Sequence, residues 1–98
     1  KEKNLYVNEI GPRVHNSGHL TINTYNISQF ENHIRAVCGL EKIKLKKICN
    51  AKMINIIGDE INNYRNKKYT EREFFFDYLK KKIKPKRKMG HLTIIENK

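Results

Sequence analysis

The sequence predicts an α+β fold, and three observations predict it. Four short runs, Leu5–Val7, Thr21–Tyr25, Met53–Ile57 and Met89–Ile95, are apolar or alternating and lie between turn formers, which is the pattern of strands. One stretch, beginning at Ser28, has helical periodicity behind an N-terminal cap. The strand candidates are separated by polar and basic loops, the longest of them running from Asn8 to His19.

In chain order, Leu5–Val7 leads straight into Asn8 and Glu9. Glu9 offers oxygen to Mg²⁺, an ion commonly held by one or two carboxylates together with substrate phosphates. Arg13 presents a planar fork that fits carboxylate or phosphate oxygens. His15, Asn16, Ser17 and His19 follow, and Gly18 allows a close backbone approach or a positive φ. A strand ending in a polar loop is also ordinary architecture, and periodicity alone names no ligand.

Thr21–Tyr25 alternates and favours a short strand. Ser28 and Glu31 form a capping box, so a helix is expected to start there. Its apolar residues Phe30, Ile34, Val37 and Cys38 share one face, Gly39 stops it, and His33 and Arg35 point away from that stripe. Residues 41–47 read as a lysine-rich linker. Met53–Ile57 is a buried-strand candidate closed by Gly58 and Asp59, and 61–68 is a polar loop or a short helical turn. Residues 70–83 support two readings. Thr70 and Glu73 form a second capping box, whereas Phe74, Phe75 and Phe76 are strand formers. Lys80–Lys88 is a basic run broken by Ile83 and Pro85, and on its own it reads as a solvated hairpin. Met89–Ile95 alternates as a strand.

Four ordered stretches together resemble a known family. They are Asn8-Glu9-Ile10-x-Pro12-Arg13-x-His15-Asn16-Ser17-Gly18-His19, then Ser28-Gln29-Phe30-Glu31-x-His33-x-Arg35-Ala36-Val37, then Met53–Gly58, and last Pro85-x-Arg87-Lys88-Met89-Gly90-His91. The family is the ATPase subunit of phosphoribosylaminoimidazole carboxylase, or N5-carboxyaminoimidazole ribonucleotide synthase, an ATP-grasp ligase of purine biosynthesis. The resemblance implies the C-terminal end of an ATP-grasp domain over 1–45, followed by a small, incomplete β-rich C-terminal domain over 46–98. It favours the strand reading at 70–83. Two departures stand out: Glu41-Lys42-Ile43 replaces a Pro-Leu-Gly turn, and Leu79-Lys80-Lys81 replaces a Tyr-x-Lys element.

By that resemblance the reaction joins bicarbonate to aminoimidazole ribonucleotide through carboxyphosphate made from ATP. Asn8 and Glu9 would face ATP, with Glu9 a Mg²⁺ ligand. Arg13 would be the catalytic arginine beside bicarbonate. His15, Asn16 and Ser17 would line the pocket between nucleotide and acceptor. Lys81, Arg87 and Lys88 would hold the ribonucleotide's 5′-phosphate. The partners implied are aminoimidazole ribonucleotide and bicarbonate, with no nucleic acid and no membrane, in a cytoplasmic enzyme that is a homodimer when intact. Only the C-terminal part of the family is matched, so the chain is expected to be a fragment without activity of its own.

Composition sets wider bounds. A chain of 98 residues buries only roughly 60–65% of the surface its unfolded form exposes, which makes a self-sufficient core marginal. No run approaches the length of a membrane span, and no signal-peptide pattern opens the chain. Cys38 and Cys49 have no metal spacing and read as reduced thiols. A net charge of +11 invites an anionic partner and raises the alternative of a small nucleic-acid-binding module. However, the excess of lysine, asparagine and isoleucine also follows from an AT-rich genome, and no strand face interleaves aromatics for base stacking. A metal site built from His15, His19, His33 and His91 is a third, weaker reading, because cysteine and carboxylate are absent at ligand spacing.

Overall fold

A three-stranded antiparallel sheet carries the second half of the chain in the computed structural model, which describes residues 3–97. Strand β1 spans Asn50–Ile57, β2 spans Glu73–Asp77 and β3 spans Lys88–Asn97, in the spatial order β1-β3-β2. The central strand β3 is paired on both edges, and Met89 to Thr93 are all buried. In this register Asn55 lies opposite His91 on one side, and Asp77 lies opposite Gly90 on the other.

The core forms where β1 and β3 meet the helical turn between β1 and β2. Ile56, Ile61, Met89 and Leu92 are buried together, flanked by Ile54, Tyr64, Tyr69, Phe75 and Ile94. Each full burial of such a side chain contributes about 1.5–3 kcal/mol. Ile61 enters this core from α3, Ile61–Arg65, so the polar stretch after Gly58 is helical because one isoleucine anchors it.

The first half has a different texture. A 3₁₀ turn, Asn16–Leu20, runs into α1, Thr21–Thr24, and α2 follows at Gln29–Val37. The helix expected at Ser28 is present. Ser28 Oγ accepts from Glu31 N at 3.2 Å, while the Glu31 carboxylate turns to Arg35 at 3.0 Å instead of closing the box. Gly39, at φ +68, ends the helix in the left-handed region that glycine tolerates. The stripe of Phe30, Ile34, Val37 and Cys38 is exposed, and so is the following linker. That linker is tied back at its start, where Arg35 Nη1 donates to Glu41 O at 3.3 Å, and near its end, where the Asn26 side chain bridges Lys44 O and Lys46 N.

Two expected strands are corrected. Leu5–Val7 is exposed, Leu5 completely, and among the described residues no strand pairs with it. A strand needs a ladder to satisfy its backbone, and none is offered there. Thr21–Tyr25 is helical up to Thr24. The Thr21 hydroxyl donates to Gly18 O at 2.6 Å and the Thr24 hydroxyl to Leu20 O at 2.8 Å, so side chains with strand propensity close helical turns instead. Only Tyr25 pairs, through a single bridge to Lys47. At 70–83 the strand reading holds, as β2. Thr70 N donates to Glu73 Oε1 at 3.0 Å, so the cap-like pair closes a turn into the strand.

Candidate functional site

The loop from Asn8 to His19 is anchored at its far end. The Gln29 side chain, at the start of α2, pairs with the main chain of His15: its Oε1 accepts from His15 N at 2.9 Å, and its Nε2 donates to His15 O at 2.8 Å. The same Nε2 lies 3.0 Å from His19 Nδ1. Gly18 permits this contact. Its φ is not positive, and a Cβ there would stand 2.1 Å from Gln29 Oε1. The glycine expected to admit a ligand thus admits the glutamine amide.

A second anchor joins the loop to the sheet. Asn16 Nδ2 donates to Asn55 Oδ1 on β1 at 2.7 Å. His19 stacks between Phe30 and His91, with ring centroids at 5.4 and 5.2 Å. His91 is buried on β3, its Nδ1 is 2.7 Å from the Tyr78 hydroxyl, and its Nε2 is buried with no hydrogen-bond partner among the described residues. Burial, reinforced by the neighbouring His19, lowers the His91 pKa to about 4. Burial and the nearby Lys88 ammonium lower that of His19. Both imidazoles are therefore neutral near pH 7, and Lys88 stands close enough to the loop's end to be felt there.

The nine residues singled out from sequence fall into three groups. Asn8, Glu9 and Arg13 lie on the exposed segment before the anchored part, and Arg13 Nη1 donates to Val14 O at 3.5 Å. His15 and Asn16 are half-buried and fixed by Gln29 and Asn55, while Ser17, the next residue, is exposed. Lys81 and Arg87 belong to the β2–β3 connection, and Lys88 opens β3. Lys81 and Lys88 are exposed, and Arg87 Nη1 donates to Lys82 O at 3.0 Å. The second group meets the sheet through Asn16 and Asn55, which lies opposite His91 on β3.

Sequence reasoning did not single out Gln29, Asn55, Tyr78 or Lys80. Lys80 Nζ donates to Lys88 O at 2.7 Å and lies 5.7 Å from the centre of the Tyr78 ring, closing the base of the basic loop. No periodic signal marks such residues, since each acts through a partner distant in sequence. The four-histidine centre finds no support. His33 is exposed on α2, His19 and His91 meet face to face, and among the described residues no three His, Cys, Asp or Glu side chains converge. Cys38 and Cys49 are both free thiols. No described helix is long and apolar enough to cross a membrane.

A carboxylate at Glu9 with the Asn8 amide beside it is chemically suited to Mg²⁺ and nucleotide, because such ions take a few protein oxygens and complete their shell with phosphate and water. An unburied guanidinium at Arg13 and the cations of the basic loop are likewise suited to anionic oxygens.

Two family models match the chain: the ATP-grasp domain over residues 1–30, and the phosphoribosylaminoimidazole carboxylase C-terminal domain over residues 51–98. The N5-carboxyaminoimidazole ribonucleotide synthase of Bacillus subtilis is 44% identical over 93 residues, covering 94% of this chain and 24% of that protein. The solved N5-carboxyaminoimidazole synthetase of Staphylococcus aureus complexed with ADP superimposes with a TM-score of 0.85 at 37% identity, covering 99% of this chain and 27% of that one. The N5-carboxyaminoimidazole synthase of Aspergillus clavatus in complex with ADP and 5-aminoimidazole ribonucleotide gives a TM-score of 0.77 at 34% identity, over 86% of this chain and 24% of that one. This chain thus spans about a quarter of the length of the relatives it matches. With both family models matched in order and the fold shared, the chain belongs to the N5-carboxyaminoimidazole ribonucleotide synthase family, the ATP-grasp ATPase subunits of phosphoribosylaminoimidazole carboxylase, and corresponds to a portion of such a protein.

Proposed function

We propose that this chain forms part of an ATP-dependent carboxylating ligase. The enzyme converts 5-aminoimidazole ribonucleotide, bicarbonate and ATP into N5-carboxyaminoimidazole ribonucleotide, ADP and phosphate. The observation that carries the reading is the close likeness, in sequence and fold together, to relatives solved with ADP and with ADP plus aminoimidazole ribonucleotide. Residues 1–45 are the end of the ATP-grasp domain and residues 46–98 the small β-rich domain. The two halves are stitched by Asn16 to Asn55 and by His19 to His91.

In this reading Asn8 and Glu9 face the nucleotide, and Glu9 holds Mg²⁺, which neutralises phosphate charge when bound. Arg13 binds bicarbonate oxygens and stabilises the charge that develops as bicarbonate is phosphorylated. His15, Asn16 and Ser17 line the space between nucleotide and acceptor. Gln29 keeps them there by fixing the main chain of His15. Lys81, Arg87 and Lys88 neutralise the 5′-phosphate of the ribonucleotide. Catalysis of this kind depends on positioning and charge more than on covalent chemistry. The intact enzyme works as a cytoplasmic homodimer.

The test is ATP turnover by the full-length protein. ADP release should require both bicarbonate and aminoimidazole ribonucleotide, while the 98-residue chain alone should release none. Turnover indifferent to bicarbonate would overturn the assignment.

A further inference from the structure

The basic loop between β2 and β3 begins with an unusual backbone. Leu79 has φ +58, in the left-handed region where a residue with a Cβ is strained by about 1–2 kcal/mol. Its side chain is 77% exposed, so packing does not hold it there. Something else must. Asp77, the last residue of β2, accepts from Leu79 N through Oδ1 at 2.8 Å. The same carboxylate is gripped by Arg65 of α3, with Nε to Oδ2 at 2.6 Å and Nη2 to Oδ1 at 3.2 Å. The Asp77 carboxylate is only 17% exposed, and α3 is itself pinned to the core by Ile61.

We propose that Arg65 and Asp77 are positioning residues for the ribonucleotide's phosphate: they lock Leu79 in its left-handed turn and so aim the loop that carries Lys81 and Arg87. This deepens the function proposed above and rests on it. The chain of contacts runs from a core-anchored helix to a carboxylate, from the carboxylate to one backbone N–H, and from that residue into the loop. A loop bearing six cations repels itself, so its conformation needs such a fixed origin. Other bonds shape the loop further on: Lys80 Nζ donates to Lys88 O, Arg87 Nη1 to Lys82 O and Arg87 N to Lys84 O at 3.1 Å, while Gly58 N donates to Arg87 O at 2.8 Å and ties down its far end. The Asp77 bond fixes its beginning. Among the described residues the Arg65 side chain hydrogen-bonds to Asp77 and to none of those assigned to substrate, so its influence passes through Asp77.

The experiment uses the full-length enzyme with Asp77→Asn, Asp77→Asn/Leu79→Asn and, as the control for the phosphate site itself, Arg87→Ala. Asparagine at 79 tolerates positive φ far better than leucine. Asp77→Asn should raise KM for aminoimidazole ribonucleotide about fivefold, with kcat and KM for ATP within about twofold. Limited trypsin digestion should cut within residues 80–87 about tenfold faster, since cleavage follows the population of the opened loop. The added Leu79→Asn change should recover most of both effects, which a general loss of folding would not allow. If Arg87→Ala raises that KM while Asp77→Asn leaves both KM and loop cleavage unchanged, the positioning role is wrong and the phosphate site stands. If Arg87→Ala leaves KM unchanged, the phosphate site fails, and with it the proposal that the pair serves that site. Failure of Leu79→Asn to rescue would also overturn the backbone mechanism.

Discussion

The side-chain amide of Gln29 and the main chain of His15 form a reciprocal pair, N–H to Oε1 at 2.9 Å and Nε2–H to O at 2.8 Å, in the manner of a rung of antiparallel sheet. The pair converts a polar loop into a fixed one. Replacing Gln29 with Leu keeps bulk but leaves both His15 groups without this partner, at a cost of about 1–3 kcal/mol to the loop. In the full-length protein the His15 amide should exchange with deuterium roughly 10- to 100-fold faster, and turnover should fall. Unchanged exchange would show that the pair does not hold the loop.

His91 gives the protein a pH dependence of known sign. Its imidazole titrates at about 4 when folded against 6.5 ordinarily, because burial and the neighbouring His19 oppose protonation. Between those values the unfolded chain binds a proton that the folded chain refuses, so stability is complete above pH 6.5 and is lost as pH falls towards 4. The loss is up to about 1.4 kcal/mol per pH unit. A denaturation midpoint that does not fall between about pH 7 and pH 5 would contradict this, as would a His91 resonance titrating at its ordinary value.

Glu9→Gln preserves shape and removes the charge proposed to hold Mg²⁺. Turnover should drop by about a hundredfold or more, with KM for the ribonucleotide nearly unchanged. Arg13→Lys should fail too, because an ammonium lacks the paired donors of a guanidinium. Near-normal turnover at saturating Mg²⁺ in either variant would remove that residue from the site.

Within the basic loop, Arg87 and Lys86 should behave differently. Arg87→Ala is expected to raise KM for aminoimidazole ribonucleotide about tenfold, equivalent to about 1.4 kcal/mol, while Lys86→Ala barely changes it. Lys86 does have a structural signature, a φ of +67. Lys86→Gly should therefore stabilise the full-length protein by about 0.5–1 kcal/mol by removing that strain, with KM unaffected. Small, equal effects of the two alanine substitutions on KM would reduce the run to a charged surface.

The chain expressed alone should be loosely folded. Leu5, Val7, Ile10, Ile34 and Val37 are more than half exposed, and the buried core is small. The expected outcome is binding of a hydrophobic dye and a broad melt. A sharp cooperative melt without dye binding would show that these apolar faces need no cover.

The sequence by itself determined the features that local chemistry dictates. Ser28 and Glu31 mark a helix start, Gly39 its end, and the apolar run Met53–Ile57 and the alternation of Met89–Ile95 mark the two long strands. The ordered motifs likewise carried the family. Tertiary structure decided what depends on partners far away in the chain. Thr21–Thr24 became helix because its hydroxyls found carbonyls one turn back, against its own propensity. Leu5–Val7 formed no strand because no edge among the described residues meets it. Gln29 clamps His15, His19 stacks on His91, and Arg65 grips Asp77, yet none of these residues stands out by periodicity. Propensity and capping act over a few residues and leave a readable pattern. A side-chain hydrogen bond between distant elements needs only one suitable residue at each end, and folding alone brings those ends together.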